Sequence, residues 1–587
     1  MRLQTIQTPD PSFRQTEELY VHRQEGRLDF DGYFNLFYIT KHRKYTTCKS
    51  LSLDLTVRGR TVLILMHDRE EIRRVEIPAA PDEEVRGTYP FPYADHEEGV
   101  FWFALEAESE ASPFVRGSFV GEAENAREVS LAVAITTFRR EPYVLRNLKM
   151  MERLPADVWE QLHVLLIDNG KTLRDHAEIM PLIESMNRQG RERVRLIENA
   201  NTGGCGGFTR GMREAIDLRD PLKLTNLLLM DDDAVFPADL FVRLTSLLAM
   251  LKPECREMTV GGALWREEEP WIQNMCGEWY ERFKVINPHP YVDLRKWENC
   301  TADWMQDEEQ TGRSYCGWWC CCYPMSVIRE DTLPLPLFIH HDDIQFGMRH
   351  ARNGILFLGG IGAWHRGFEF AFHSVKRYYD MRNAMITMAL YQRDLGASGV
   401  IRHGVRQLIG HLLLYSYAEV ELIYRGINDF LRGPEWLSGT DPEEKNSELL
   451  TYWKTHTAIR PLKEIMTPQE YDAFAAAYLT KEHREEMLAV FRSRARHDAS
   501  IIRVLTFNGW FLPSRKGPAF LSMAETPWMA YRRKTVLLYD PDTKTGMWLK
   551  RSWREFFKTF GRVILVTLRL GSGYRKTADA YRRAVGL

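Results

Sequence analysis

The chain has 587 residues, 44% of them apolar and 27% charged, and a net charge of −2. That length exceeds what one hydrophobic core serves, so several domains are expected. The near-neutral balance gives no electrostatic drive toward nucleic acid, and no low-complexity tract suggests disorder.

The N-terminal stretch MRLQTIQTPDPSFRQTEELY has no apolar signal-peptide core, and no run of about 18 apolar residues appears anywhere. A cytoplasmic protein is the expectation. Nine cysteines, with Cys316, Cys320, Cys321 and Cys322 crowded together, lack the paired spacings of a zinc site and read as free thiols. Sixteen Trp fit a sugar-handling protein, since flat rings stack on the C–H faces of sugars, but large cores use Trp as well.

Residues 1–127 read as a β-sandwich. Alternating segments such as GYFNLFYIT, SLSLDLTV, RTVLILMHD, GVFWFALEAES and FVRGSFVGEA recur between charged or Gly/Pro turns. Residues 128–385 change to strands alternating with helices: VSLAVAITTF, HVLLIDNG, RVRLIENAN and NLLLMDDDA are strands, with helical text between them. Continuous apolar strands in βαβα order predict a parallel sheet covered on both faces, with ligands beyond the carboxyl ends of the strands. TTFRR, DNG, NTGG and DDD all fall at those ends. Residues 386–587 read as mostly helical, and Arg551–Leu587 carries nine Lys/Arg against two Asp/Glu. There Trp553, Phe556, Phe557 and Phe560 share a predicted helix face.

A DDD run is more often a solvated loop or a helix start. Here it follows a buried strand, and in an extended segment Asp231 and Asp233 point to one side. Two such carboxylates can hold a hard divalent cation bridging the phosphates of a nucleotide diphosphate. A second pair, Asp342 and Asp343, precedes a predicted helix near Ile344. One can cap that helix while the other serves as a general base. His365, ending the apolar run ILFLGGIGAWH, is either a packed histidine or a third ligand that shifts preference from Mg²⁺ toward Mn²⁺.

The series TTFRR, DNG, NTGGCGGFTRG, MDDDA, GWWCCCYP, PLFIHHDDIQF and AWH resembles the family 2 glycosyltransferases of GT-A fold, and more narrowly the galactofuranosyltransferases that polymerise cell-wall galactan. The resemblance covers about residues 130–385. It implies a multidomain α/β protein with an N-terminal β-sandwich, a central GT-A domain and a helical C-terminal region. It implies that Arg140, Asn169 and Asn201, with Asp231 and Asp232, contact a UDP-sugar donor. Asp231, Asp233 and His365 would hold Mn²⁺ or Mg²⁺, and Asp343 would be the base with Asp342 beside it. Trp318, Trp319 and Glu278 would line the site of a glycan or glycolipid acceptor. Asn169, where the family carries Gln, Gln345, where an acid is usual, and Arg366-Gly367 after the WH pair depart from the pattern.

The implied activity is inverting, metal-dependent transfer of galactofuranose from UDP-galactofuranose. Rival readings are a family 2 enzyme using UDP-galactopyranose, UDP-glucose or dTDP-rhamnose, and a non-catalytic carbohydrate-binding protein. A Rossmann dehydrogenase fits poorly, because GGCGG lacks the G-x-G-x-x-G spacing. A lipid-linked acceptor would bring the protein to the inner face of the cell membrane, where the basic C-terminal segment could meet anionic lipid. The sequence leaves a homo-oligomer open.

Overall fold

The computed structural model describes residues 1–9, 16–107, 112–187, 191–302, 312–492 and 501–587. The chain divides into two units, one of Met1–Trp279, Val285–Leu333 and Phe346–Arg366, the other of Tyr280–Lys284, Pro334–Gln345 and Gly367–Leu587.

The first unit begins with two antiparallel sheets. One has the order Arg2–Thr5, Phe114–Ala123, Cys48–Arg58, Glu84–Phe91; the other runs His22–Gln24, Arg27–Asp29, Val100–Glu106, Thr61–His67, Glu70–Ile77. Leu53, Leu55 and Phe119 from the first and Leu63, Leu65 and Phe103 from the second are fully buried. Phe30 stacks on Phe103 at 4.5 Å and meets Phe114 of the other sheet at 4.7 Å. The period-two alternation of SLSLDLTV thus lines a sandwich interior. GYFNLFYIT behaves differently: only Phe37–Tyr38 pairs as strand, and Ile39–Tyr45 is a short helix.

The same unit continues into a mixed sheet. Seven of its nine strands are β1 (Leu131–Thr137), β2 (Leu162–Asp168), β3 (Val194–Glu198), β4 (Asn226–Asp231), β5 (Thr259–Arg266), β6 (Cys320–Pro324) and β7 (Ile355–His365). The order is β3-β2-β1-β4-β6-β5, followed by Ile272–Met275 and Val292–Asp293, with β7 also on β5. The pairings among β1 to β4 are parallel, and β6 runs antiparallel to both β4 and β5. Every residue of β1 is buried, as expected of a parallel strand covered on both faces. Helices α1 (Glu141–Glu152), α2 (Gly203–Leu218) and α3 (Asp239–Met250) follow β1, β3 and β4. Buried Arg243 of α3 donates to Asp239 at 2.6 Å, to Gly359 O at 2.9 Å and to Phe34 O, while Asp239 accepts the Thr5 amide at 2.7 Å. These bonds tie the sandwich to the mixed sheet.

In the second unit, α4 (Asp342–His350) begins, α5 (Lys376–Tyr391), α6 (Gly396–Leu413) and α7 (Tyr417–Leu431) follow, and α8 (Trp553–Ala584) closes the chain. The predicted helical run from Val400 to Leu431 is two helices, parted at Tyr415, which takes a left-handed φ of 65°. The region is not helical alone. Arg460–Pro461, Thr545–Lys550, Thr535–Asp540 and Ala519–Ser522 form a four-stranded sheet. Part of the helical reading over 481–505 lies outside the described residues.

α8 corrects one expectation. Phe556 is buried and Phe560 packs partly under it, whereas Trp553 and Phe557 are exposed. The buried stripe continues through Val566, Leu570 and Tyr574, and the exposed one through Ile564, Leu565 and Leu568. An aromatic run with hits at i, i+3, i+4 and i+7 is wide enough to serve two faces. Arg562 also leaves the basic surface, since it is buried against Glu421. No helix among the described residues is long and apolar enough to cross a membrane.

Candidate active site

The DDD run sits where β4 leaves the sheet. Asp231 still pairs with Thr136 of β1, and its amide donates to the carbonyl of Trp319 at 3.3 Å. Alternation then turns Asp231 and Asp233 one way and buries Asp232 on the other side. Val235 and Trp364 exchange two backbone hydrogen bonds of 2.8 Å, which lays the end of β7 beside the run. His365 is thereby brought to the carboxylates from more than a hundred residues away in sequence.

One donor atom from each of Asp231, Asp233 and His365 falls within 4.8 Å of the others. His365 Nε2 lies 3.3 Å from Asp233 Oδ1, and its Nδ1 faces the Arg366 carbonyl at 2.7 Å. That carbonyl fixes the tautomer with the proton on Nδ1 and leaves Nε2 as the ligating atom. Two carboxylates and one imidazole fit a divalent cation such as Mn²⁺ or Mg²⁺. The electrostatics agree. Burial and then the neighbouring carboxylates Asp233 and Asp232 push Asp231 well above the ordinary carboxylate range. Burial raises Asp232 too. Burial opposes ionisation of Asp233 as well, but the hydrogen bond and charge of His365 and the charge of Arg140 hold it low.

Arg140, just before α1, reaches Asp233 and lies 3.4 Å from Asp232. Two residues of α1 outside the sequence motifs carry the run's backbone. Arg146 donates to Ala234 O at 2.8 Å and Asp233 O at 3.2 Å, and Asn147 to Asp232 O at 2.9 Å. Their only sequence signal is a pair of polar residues on the helix face that α1 buries.

At the end of β2, buried Asn169 engages both ends of its amide internally, donating to Gly203 O at 3.0 Å and accepting from Asn199 at 2.9 Å. It shapes the NTGG turn. Asn201 accepts the Gly203 amide at 3.3 Å and is half-buried. Asp168, a further residue missed from sequence, is fully buried and accepts three backbone amides, those of Gly170, Thr172 and Leu173. α2 then packs tightly on β1: a Cβ on Gly207 would come within 2.1 Å of the Thr136 side chain.

The two tryptophans separate. Trp318 is buried between Phe208 and Phe346 and donates to the Tyr323 hydroxyl at 3.2 Å, so it is a core residue and not the expected wall for an acceptor. Trp319 is half-buried, its indole N–H donating to Gly262 O at 3.0 Å. Glu278 is 1% exposed, and among the described residues its Oε1 has no hydrogen-bond partner. Burial pushes its carboxyl up to about 8. The thiols of Cys320, Cys321 and Cys322 line β6 and are fully buried, which raises all three and keeps them neutral.

In the second unit, α4 starts at Asp342, two residues earlier than the sequence suggested, so both aspartates occupy the first turn. Negative charge is favoured there by the helix dipole. Gln345 is fully buried; it accepts the Leu335 amide at 3.2 Å and donates to the Tyr391 hydroxyl at 3.0 Å. An ionised acid could not donate that second bond, which accounts for the amide at this position.

Residues 128–358 match the family model described as "Glycosyltransferase like family 2". The matched stretch runs from just before β1 into β7 and so takes in the central mixed sheet. The chain is 28% identical over 436 residues to the galactofuranosyltransferase GlfT2 of Mycobacterium tuberculosis, covering 70% of this chain and 66% of that one. It is 26% identical over 430 residues to GlfT2 of Mycolicibacterium smegmatis, covering 70% and 65%. The chain therefore spans about two thirds of the length of these curated relatives. Among solved structures, GalNAc-T7 with UDP, GalNAc and Mn²⁺ aligns at a TM-score of 0.34 and 12% identity, covering 49% of this chain and 52% of that one. The mannosyltransferase PcManGT of Pyrobaculum calidifontis, with GDP-Man and Mn²⁺, aligns at 0.29 and 12%, covering 60% and 87%.

Proposed function

We propose that this protein is an inverting glycosyltransferase that moves galactofuranose from UDP-galactofuranose to a glycan, most simply a lipid-linked galactan. The observation that carries the reading is the convergence of Asp231, Asp233 and His365 at the ends of β4 and β7. The matched family and the named relatives supply the sugar class. A divalent cation held by that trio would neutralise the diphosphate as it leaves.

The chain's own residues divide the remaining work. Asn169 and Asp168 shape the loops beside the uridine, and Asn201 and Arg140 face the donor. Arg140 shifts from Asp233 to the phosphates when UDP binds, placing positive charge where negative charge grows. Asp343 removes the proton from an acceptor hydroxyl as its oxygen attacks the anomeric carbon. The C1–O bond to UDP breaks as the new one forms, so the anomeric configuration inverts and no enzyme nucleophile is needed. Trp319 lines the acceptor side.

Incubating the pure protein with Mn²⁺ and UDP-galactofuranose, UDP-galactopyranose, UDP-glucose or dTDP-rhamnose tests the reading. Turnover of UDP-galactofuranose that stops in excess EDTA and returns with Mn²⁺ is expected. Preference for another donor would move the assignment within family 2. Binding of sugars without turnover of any donor would favour a carbohydrate-binding protein.

A further inference from the structure

We infer that Asn383 and Asp380 of α5 are positioning residues that hold the Asp342–Asp343 pair in place through a pinned arch, residues 337–341. The inference rests on the reading of Asp343 as the base.

The arch is an unfavourable piece of backbone. Phe338, His340 and His341 all take left-handed φ angles, of 72°, 63° and 65°, and none is glycine. Three such residues among four do not hold that shape without outside support. The support comes from one turn of α5. Asn383, fully buried, directs its amide NH₂ at three arch carbonyls: Leu337 at 3.1 Å, Ile339 at 2.8 Å and His340 at 2.9 Å. Arg382 adds a bond to Leu337 O at 2.8 Å and donates to Asn383 Oδ1 at 2.9 Å, which fixes the amide's orientation. Arg382 is itself set against the rings of Tyr378 and Tyr379, each 5.2 Å away.

Asp380 meets the arch's side chains. Its Oδ1 lies 2.5 Å from Nδ1 of His340, two residues before Asp342, and Arg377 approaches its other oxygen at 3.7 Å. On the far side, Gln345 and Tyr391 close the loop with the bonds described above and one from Tyr391 OH to Gln345 O at 2.8 Å. The carboxylate pair is thus held at both ends by a single helix. Residues on α5 that touch no substrate set where Asp343 points.

Asp380→Asn keeps shape and exposure while removing the charge that orients His340; Asn383→Ala removes the three carbonyl bonds. Hydrogen exchange of residues 337–345 should accelerate at least about tenfold in both, with α5 and the β1–β4 sheet still protected. In turnover, kcat should fall about 10- to 100-fold, the penalty of a reacting group displaced by an ångström or less, with KM for the donor and UDP affinity unchanged. Combined with Asp343→Asn, neither substitution should lower kcat further. Unchanged exchange in the arch, or kcat losses that multiply with those of Asp343→Asn, would overturn the inference. If Asn383→Ala fails to fold, Asp380→Asn decides alone. Should Asp343→Asn turn over normally while the arch loosens in the α5 variants, the base assignment fails and the clamp stands.

Discussion

Glu278 shows how one buried side chain couples stability to pH. Burial keeps its carboxyl protonated in the folded protein up to about pH 8, whereas the unfolded chain releases that proton near 4.5. Between those values the folded state binds more protons, so this residue's contribution to stability falls as pH rises and levels off above about 8. Glu278→Gln cannot ionise and escapes the decline. Its melting temperature relative to the parent should therefore climb between pH 5 and pH 8, by an amount worth a few kcal/mol at most at about 1.36 kcal/mol per pKa unit. Calorimetry across that range checks it, and a parallel pair of curves would place the carboxyl in a polar setting. Asp343 is tested through rate. General-base terms are typically worth about 10² to 10⁴, so Asp343→Asn should lower kcat by that factor and leave UDP affinity, measured by titration calorimetry, intact.

At the scale of elements, the close seat of α2 on β1 makes a sharper prediction. The Cβ of Gly207→Ala would press into the side chain of Thr136, a β-branched residue inside the sheet that has little room to turn. Overpacking of this kind typically costs about 1–3 kcal/mol. Because Asn169 lies 3.0 Å from the same point, UDP binding should weaken along with the melting temperature. At Gly204 an added methyl group would meet nothing within 4 Å, so alanine there should cause neither change. These contacts also mark the boundary of what the sequence reveals. The strands β1 to β4 were legible because buried parallel strands are written as largely apolar runs, and Asp231 and Asp233 because alternation persists to the strand's end; β5 and antiparallel β6 were not. Long-range placement was not legible. Nothing in GAWHRG says that the Val235–Trp364 bridge delivers His365 to the carboxylates, and nothing in GWWCCC says that Trp318 turns inward while Trp319 does not. The C-terminal sheet escaped for a related reason: TVLLYD and MWLK are short strands embedded in helical text, and their pairing partners lie as far away as Arg460.

In the second unit, most of the exposed apolar residues fall on two pieces of chain, with others such as Phe368, Met529 and Trp548 elsewhere. Trp553 and Phe557 open the exposed stripe of α8, with Ile564, Leu565 and Leu568 farther along it, and Phe511 meets Trp553 at 5.7 Å. The short helix Ile501–Leu505 adds Ile501, Ile502, Val504 and Leu505, all exposed. Arg554 and Lys558 are exposed within the α8 stripe, and Arg575 and Lys576 farther along the helix. An apolar face of this extent set among cations suits an anionic membrane surface, where buried rings and aliphatic chains gain by leaving water and each nearby Lys or Arg adds about 1 kcal/mol. We propose the cytoplasmic leaflet as the occupant, in keeping with a lipid-linked acceptor. The protein should float with vesicles containing anionic lipid at low salt, and less so with zwitterionic vesicles or at high salt, as screening requires. Replacing Phe557, Ile564 and Leu568 together by Ser should abolish flotation. The melting temperature should hold, because none of the three lies in the stripe that packs against α6 and α7. Flotation that survives the triple substitution would assign membrane contact elsewhere. A parent protein that never floats, and whose solution mass drops from a multiple of 68.6 kDa to a single copy in the triple variant, would make this face a contact between copies of the chain instead.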